Sequence, residues 1–168
     1  MMPRSRINLI SKNTEPLTPD RAYQYVLRLL TGRDYTVAGI RRKLALREVG
    51  GEDLDAVILR LQREGWLDDQ RYAERFAESA LSSGRYYGTR LRLEMRRRGF
   101  TAETVNAALA PLLAESDEVS EARSAAERRY PGFSCSAASD RDKRRVIGFL
   151  QRRGFGFSAI MTALRTDE

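Results

Sequence analysis

Arginine is the residue whose spacing in this chain points to chemistry. Residues 85–98, RYYGTRLRLEMRRR, hold six arginines against the single acid Glu94, a local balance of +5. Residues 141–153, RDKRRVIGFLQRR, hold Arg141, Lys143, Arg144, Arg145, Arg152 and Arg153 against Asp142, again +5. A guanidinium presents a rigid fork of donors that matches carboxylate and phosphate oxygens, so the chemistry on offer is anion recognition. Other chemistries are poorly provided for. The chain has no histidine and one cysteine, Cys135. That excludes an internal disulfide, most transition-metal sites and every Ser-His or Cys-His nucleophile pair. No GxxxxGK followed by Ser or Thr occurs, and no GxGxxG; the GFGF at 154–157 is too short a fragment to read as a phosphate loop. Carboxylates are plentiful, but on helices they ordinarily form a solvated face. The expectation is a protein that is not an enzyme and holds no cofactor or metal.

The whole chain agrees with an anionic partner: 168 residues carry a net charge of +7, with an isoelectric point near 10.0. The charge is segregated, since residues 52–78 hold eight acids against four arginines, a balance of −4. Alternating basic and acidic segments imply an elongated polar body. No apolar run approaches the roughly 20 residues that span a bilayer. Residues 1–18 read as a polar tail without the apolar core of a secretion signal, so a cytoplasmic protein without a membrane partner is expected.

The elements that position these arginines repeat. RRRGF at 96–100 returns as QRRGF at 151–155, each at the end of a leucine-bearing segment. Helical periodicity dominates, and no alternating strand pattern stands out. Shifting the chain by 51 residues brings Ile40, Leu44 and Arg47 onto Leu91, Met95 and Arg98, and Leu54, Ile58 and Leu61 onto Val105, Leu109 and Leu112. A further shift of 55 carries Leu91, Met95, Arg98, Gly99 and Phe100 onto Val146, Leu150, Arg153, Gly154 and Phe155. Ala73, Ala77 and Leu81 are answered by Ala122, Ala126 and Tyr130 at a shift of 49, so the third unit carries a longer loop around PGFSCSAAS. The predicted fold is all-α: three tandem three-helix repeats, at 19–66, 67–114 and 115–168, in an elongated, curved array. Helices are predicted at 19–31, 36–48 and 52–64, at 69–83, 88–98 and 101–113, and at 117–130, 139–153 and 157–165. Thr18 and Pro19 mark the first helix start.

At the first junction, REGWLDDQRYAERF, Gly65 takes a left-handed helix end, and Trp66 folds back on the last turn. Trp66 and Leu67 read as core packing at the seam between repeats, and Asp68 or Asp69 caps the next helix. In the Arg-Gly-Phe endings the glycine supplies the same left-handed turn and Phe100 or Phe155 a hydrophobic lock. Arg98, like Arg47 and Arg153, complements the negative helix C-terminus, worth about 0.3–1 kcal/mol.

A helical wheel separates the remaining arginines. With Leu91 at 0° and Met95 at about 40° facing the core, Arg92 and Arg96 fall at about 100° and 140°, and Arg97 and Arg90 at about 240° and 260°. These four point sideways or outward. Leu93 lies near 200°, opposite the core among positive charges, a weak pointer to a protein interface. Arg85, Arg41, Arg42, Lys43, Arg144 and Arg145 extend the basic surface, either as solvated faces or as partner contacts.

GWLDDQRYAERF, followed by SGRYYGTRLRLEMRRRGF, resembles the RecX family of recombination regulators. The resemblance covers residues 19–165, most specifically Gly65 to Ala73, and is looser in the third repeat. It implies a monomer that binds the helical RecA recombinase filament on DNA, lying in its groove across neighbouring protomers. It further implies inhibition of RecA's ATPase, strand exchange and coprotease activities. The N-terminal tail and the long third-repeat loop depart from the family pattern, so no filament contact is carried over to them. The alternative is a stand-alone helical repeat that binds single- or double-stranded DNA, for which the charge alone would suffice.

Overall fold

The structure, a computed structural model, describes residues 17–165. The tail expected at residues 1–18 therefore lies outside the described residues up to residue 16. The described residues form nine α-helices and no strand. The first repeat holds α1 (Pro19–Gly32), α2 (Val37–Ala45) and α3 (Gly51–Arg63); the second holds α4 (Asp69–Ser82), α5 (Gly88–Arg98) and α6 (Ala102–Glu115). The third holds α7 (Glu118–Arg129), α8 (Asp140–Arg153) and α9 (Phe157–Arg165).

In each repeat the first and third helices make the main pairing. Small residues allow this in the later repeats: Ala73, Ala77 and Ala80 of α4 meet Ala108 of α6 in one core, and Ala122, Ala125 and Ala126 of α7 meet Ala163 of α9 in another. The second helix contributes two fully buried residues per repeat, Ile40 and Leu44, Leu91 and Met95, Val146 and Leu150, and its ends reach the neighbouring repeats. The three cores are not equally joined. The second and third share Leu81 and Leu113 at their edges, and Tyr87 of the second repeat is buried in the third core, its ring stacked on Phe155 at 4.8 Å. The first core, Ala22 to Leu67, shares no residue with the second.

One helix ending recurs along the chain, although α1, α6 and α7 finish otherwise. A residue with positive φ donates its N–H to the carbonyl three residues back, and the next N–H reaches five residues back. It occurs at Gly65, Gly84, Gly99 and Gly154, where φ is 76°, 60°, 98° and 103°. Arg-Gly-Phe is therefore an architectural ending, with Phe100 and Phe155 buried behind it. The first repeat uses the same ending without glycine. Glu48, at the position of Gly99, has φ 57°, and its N–H reaches Ala45 while that of Val49 reaches Leu44. This turn ends α2 at Ala45, short of the predicted residue 48, with Val49 in the place of the phenylalanine.

At the first junction the expectation for Trp66 is corrected. Leu67 is buried in the first core, but Trp66 is 54% exposed. The N–H groups of both residues bond to the Leu61 carbonyl, and this tight reversal leaves only Leu67 in the core. The Trp66 indole instead reaches Glu64, whose carboxylate accepts from the Tyr23 hydroxyl and from Arg60 at 2.9 Å. Asp68 caps α4 through the Arg71 N–H at 2.9 Å. Asp69 does a different job: it crosses to the first repeat and accepts the N–H of Val37, the first residue of α2, at 2.9 Å.

Successive second helices meet end to end. The Thr36 hydroxyl, at the N-cap of α2, accepts from Gly39 and donates to the Arg98 carbonyl at the end of α5, at 2.8 Å. One repeat on, the Tyr87 N–H, at the N-cap of α5, donates to the Arg153 carbonyl at the end of α8, at 2.7 Å. Both joints set a negative helix C-terminus against a positive N-terminus. Both need a glycine beside the contact: a Cβ on Gly154 would stand 2.3 Å from the Tyr87 carbonyl oxygen, and one on Gly99 would stand 3.0 Å from the Thr36 hydroxyl.

Two predictions follow from the helix ends. Glu48→Gly relieves a left-handed glutamate and should stabilise the protein by about 1 kcal/mol in urea unfolding. Gly65→Ala and Gly154→Ala carry the same backbone cost of about 1 kcal/mol, but only Gly154→Ala adds the clash at the joint. Its loss should exceed that of Gly65→Ala by about 1–3 kcal/mol in the same assay.

Candidate functional site

α8, α5 and α2 follow one another end to end, and each carries basic residues. On α5 the charge is organised by an acid. Glu94 is buried, at 8% exposure, and its carboxylate ion-pairs with Arg90 at 2.7 Å and with Arg97 and Arg98 at 3.3 Å each. Arg98 also donates to the Glu94 carbonyl and lies over the Phe76 ring at 4.2 Å, so its role at the helix end is structural. Arg90 is tied at the joint, its backbone against Gly154 and its Nε buried without a partner. Arg97 keeps 59% of its side chain in solvent despite its ion pair. Arg96 folds back to donate to the Phe100 carbonyl at 2.8 Å, and Arg92 donates to Asn106 of α6 at 2.7 Å. Leu93 is 43% exposed beside them, on the outward face.

The flanking helices hold their cations more loosely. Arg41 pairs with Asp55 at 2.5 Å, with both groups about half in solvent, and Lys43 lies over the Tyr35 ring at 5.4 Å. Arg47 lies over Tyr25 at 4.7 Å. Arg144 donates to the Asp140 carbonyl, and Arg145 pairs weakly with Asp142 at 3.8 Å. Arg153 donates to the Gly84 carbonyl at 2.6 Å, which ties α8 to the end of α4. Arg85 and Arg152 are exposed.

Each seam opens into a groove. At the first, Arg33, Tyr35, Arg42, Lys43, Tyr72 and Arg98 line a groove of about 590 Å³ together with Asp34, which pairs with Arg75 of α4 at 2.7 Å. At the second, Arg85, Tyr86, Phe149, Arg152 and Arg153 line one of about 300 Å³. Sequence reading missed Glu94 and Thr36 as organisers, and offered Asp69 as a cap of α4 where it holds the start of α2 instead. The spacing of Glu94 to Arg90, Arg97 and Arg98 is the ordinary helical pairing interval and carried the signal. Thr36 and Asp69 act between repeats, and no local pattern marks their partners.

The fold and surface define a class: a tandem array of three-helix repeats whose second helices carry basic residues, in which no described helix is long and apolar enough to cross a membrane. Three domain descriptions match in order: the first three-helix domain of RecX at residues 22–61, the second at 68–109 and the third at 116–164. The chain belongs to the RecX family. It is 48% identical over 137 residues to the regulatory protein RecX of Trichlorobacter lovleyi, covering 82% of this chain and 89% of that one. It is 29% identical over 147 residues to the regulatory protein RecX of Syntrophotalea carbinolica, covering 88% and 95%. Its fold matches the crystal structure of RecX from Lactobacillus salivarius with a TM-score of 0.70 at 19% identity, over 89% of this chain and 96% of that one.

Glu94 provides the test of how this surface is built. Glu94→Ala leaves three guanidinium groups crowded without a counter-charge. The expected loss is about 1–2 kcal/mol in urea unfolding, below the roughly 3–5 kcal/mol of a fully buried pair because the arginine heads reach water. Glu94→Gln, which keeps the acceptor oxygen, should lose less.

Proposed function

We propose that this chain is a monomeric cytoplasmic regulator that binds along the RecA recombinase filament on DNA and inhibits its ATPase, strand exchange and coprotease activities. Membership of the RecX family supports the reading, and the observation that carries it is the end-to-end succession of α8, α5 and α2. A ligand that is itself a repeating polymer is best met by a surface that repeats, and each repeat here offers a basic helix at the same place. Acidic protomer surface and DNA phosphates both answer guanidinium groups. The residues assigned to contact are Arg92, Leu93, Arg96 and Arg97 of α5, with Arg41, Arg42 and Lys43 of α2 and Arg144 and Arg145 of α8 flanking them. Arg85 and Arg90 lie at the joint between the second and third repeats. Breaking the Arg92–Asn106 and Arg96–Phe100 bonds costs little, since exposed polar pairs contribute about 0–1 kcal/mol each, and Arg97, 59% exposed, can leave Glu94 while Arg90 and Arg98 stay paired with it.

Added to RecA assembled on single-stranded DNA, the protein should suppress ATP hydrolysis at ratios up to equimolar. The triple variant Arg92→Ala, Arg96→Ala, Arg97→Ala should retain its helical circular dichroism and need at least about ten-fold more protein for the same suppression. Unchanged hydrolysis with the native chain would defeat the proposal.

A further inference from the structure

The two seam grooves occupy the same place in the repeat and differ at one rim position. At the first, position 34 is an aspartate, and its carboxylate is neutralised by Arg75 at 2.7 Å. A shift of 51 places Arg85 at that position in the second groove. Tyr35 becomes Tyr86, so the aromatic wall is kept while the paired acid at the rim gives way to an arginine.

Cations gather in and beside the second groove from three parts of the chain. Arg85 follows α4, Arg128 lies on α7, and Arg152 and Arg153 end α8. Arg128 and Arg153 are accounted for, since they donate to the Ser82 and Gly84 carbonyls at 2.6 Å each and so close the end of α4. Arg85 and Arg152 form no ion pair with any described carboxylate. The crowding is felt at Arg153: burial first, then the charges of Arg85, Arg128 and Arg129, hold its guanidinium below the ordinary arginine range. Like charges packed together without a counter-ion are unfavourable, and an anion seated between them removes the repulsion. Phe149 and Tyr86 supply the remaining walls, both half-buried.

We infer that this pocket, between the second and third repeats, binds the phosphate of a nucleotide with an unpaired base. Arg85 and Arg152 take the phosphate oxygens, and the base rests against the Tyr86 ring. An acidic protein segment would satisfy the two arginines but has no use for the aromatic wall. Guanidinium forks and an aromatic face together are the components by which single strands are held without regard to sequence. The volume, about 300 Å³, sits at the lower end of pockets that hold small ligands.

The test uses the full chain and a fluorescein-labelled oligothymidylate, read by anisotropy over a range of salt concentrations, with no recombinase present. It can therefore fail while the recombinase reading stands, and the reverse. The double variant Arg85→Ala, Arg152→Ala should bind more weakly and lose about 1.4 from the slope of log affinity against log salt, about 0.7 for each single-strand phosphate contact. Tyr86→Leu keeps the wall's bulk without its π face; it should weaken binding about ten-fold with an unchanged salt slope. Thymidine monophosphate competing at equal nucleotide concentration would assign the pocket to free nucleotides, and competition by the unlabelled strand alone would assign it to strands. An unaltered affinity and slope in the double variant overturns the inference. So does displacement by polyglutamate as effective as by unlabelled oligothymidylate, which would make the pocket a carboxylate site.

Discussion

A helix ends with carbonyls that its own backbone leaves unpaired. At Arg98 and Arg153 these carbonyls are satisfied by the N-cap residue of the neighbouring repeat's second helix, through the Thr36 hydroxyl and the Tyr87 N–H. The chain's architecture depends on this exchange. It requires a left-handed residue so that the chain leaves the helix at once, and no side chain on that residue, because the neighbouring N-cap stands where a Cβ would be. It also fixes the order of the second helices, and with them the order of the basic segments. The repeat and the charged surface are thus consequences of one way of finishing a helix.

The same constraint sorts the arginines. Those near the joints spend their donors on carbonyls and on Glu94, as Arg90, Arg98 and Arg153 do. Arg92, bonded to Asn106, and Arg97, 59% exposed while its partner Glu94 keeps two other arginines, hold bonds that solvent or a ligand can replace. A run such as RRRGF therefore carries two functions at adjacent positions. Arg98, Gly99 and Phe100 build the joint, while Arg97 and Leu93 face outward. The assignment of Arg96 lies between them, because its head group returns to the Phe100 carbonyl while the residue stays exposed.

Much of the fold was legible because the repeats are written with the same apolar spacing and two of the three second helices end in Arg-Gly-Phe. The bounds of α5 and α9 agree with those read from periodicity. The first repeat was less legible at its helix end, where Glu48 does a glycine's work, and α2 was read too long. Trp66 was misread because a large aromatic beside a conformationally free glycine looks like a core residue, whereas the reversal at Gly65 gave the core position to Leu67. Partners across a seam escaped altogether. Thr36 and Arg98 are 62 residues apart, and nothing in either local sequence names the other.

The unequal joining of the cores gives the molecule a mechanical character. Between the second and third repeats, stacked rings and shared leucines resist both sliding and opening, so these two repeats behave as one stiff segment. Between the first and second, the attachment is made of a hydroxyl, a carboxylate that reaches Val37 and a solvent-exposed ion pair, with no common apolar filling. Hydrogen bonds tolerate small changes of angle better than interlocked side chains do. A change of angle at the first seam should accordingly cost less than one at the second, where side chains interlock.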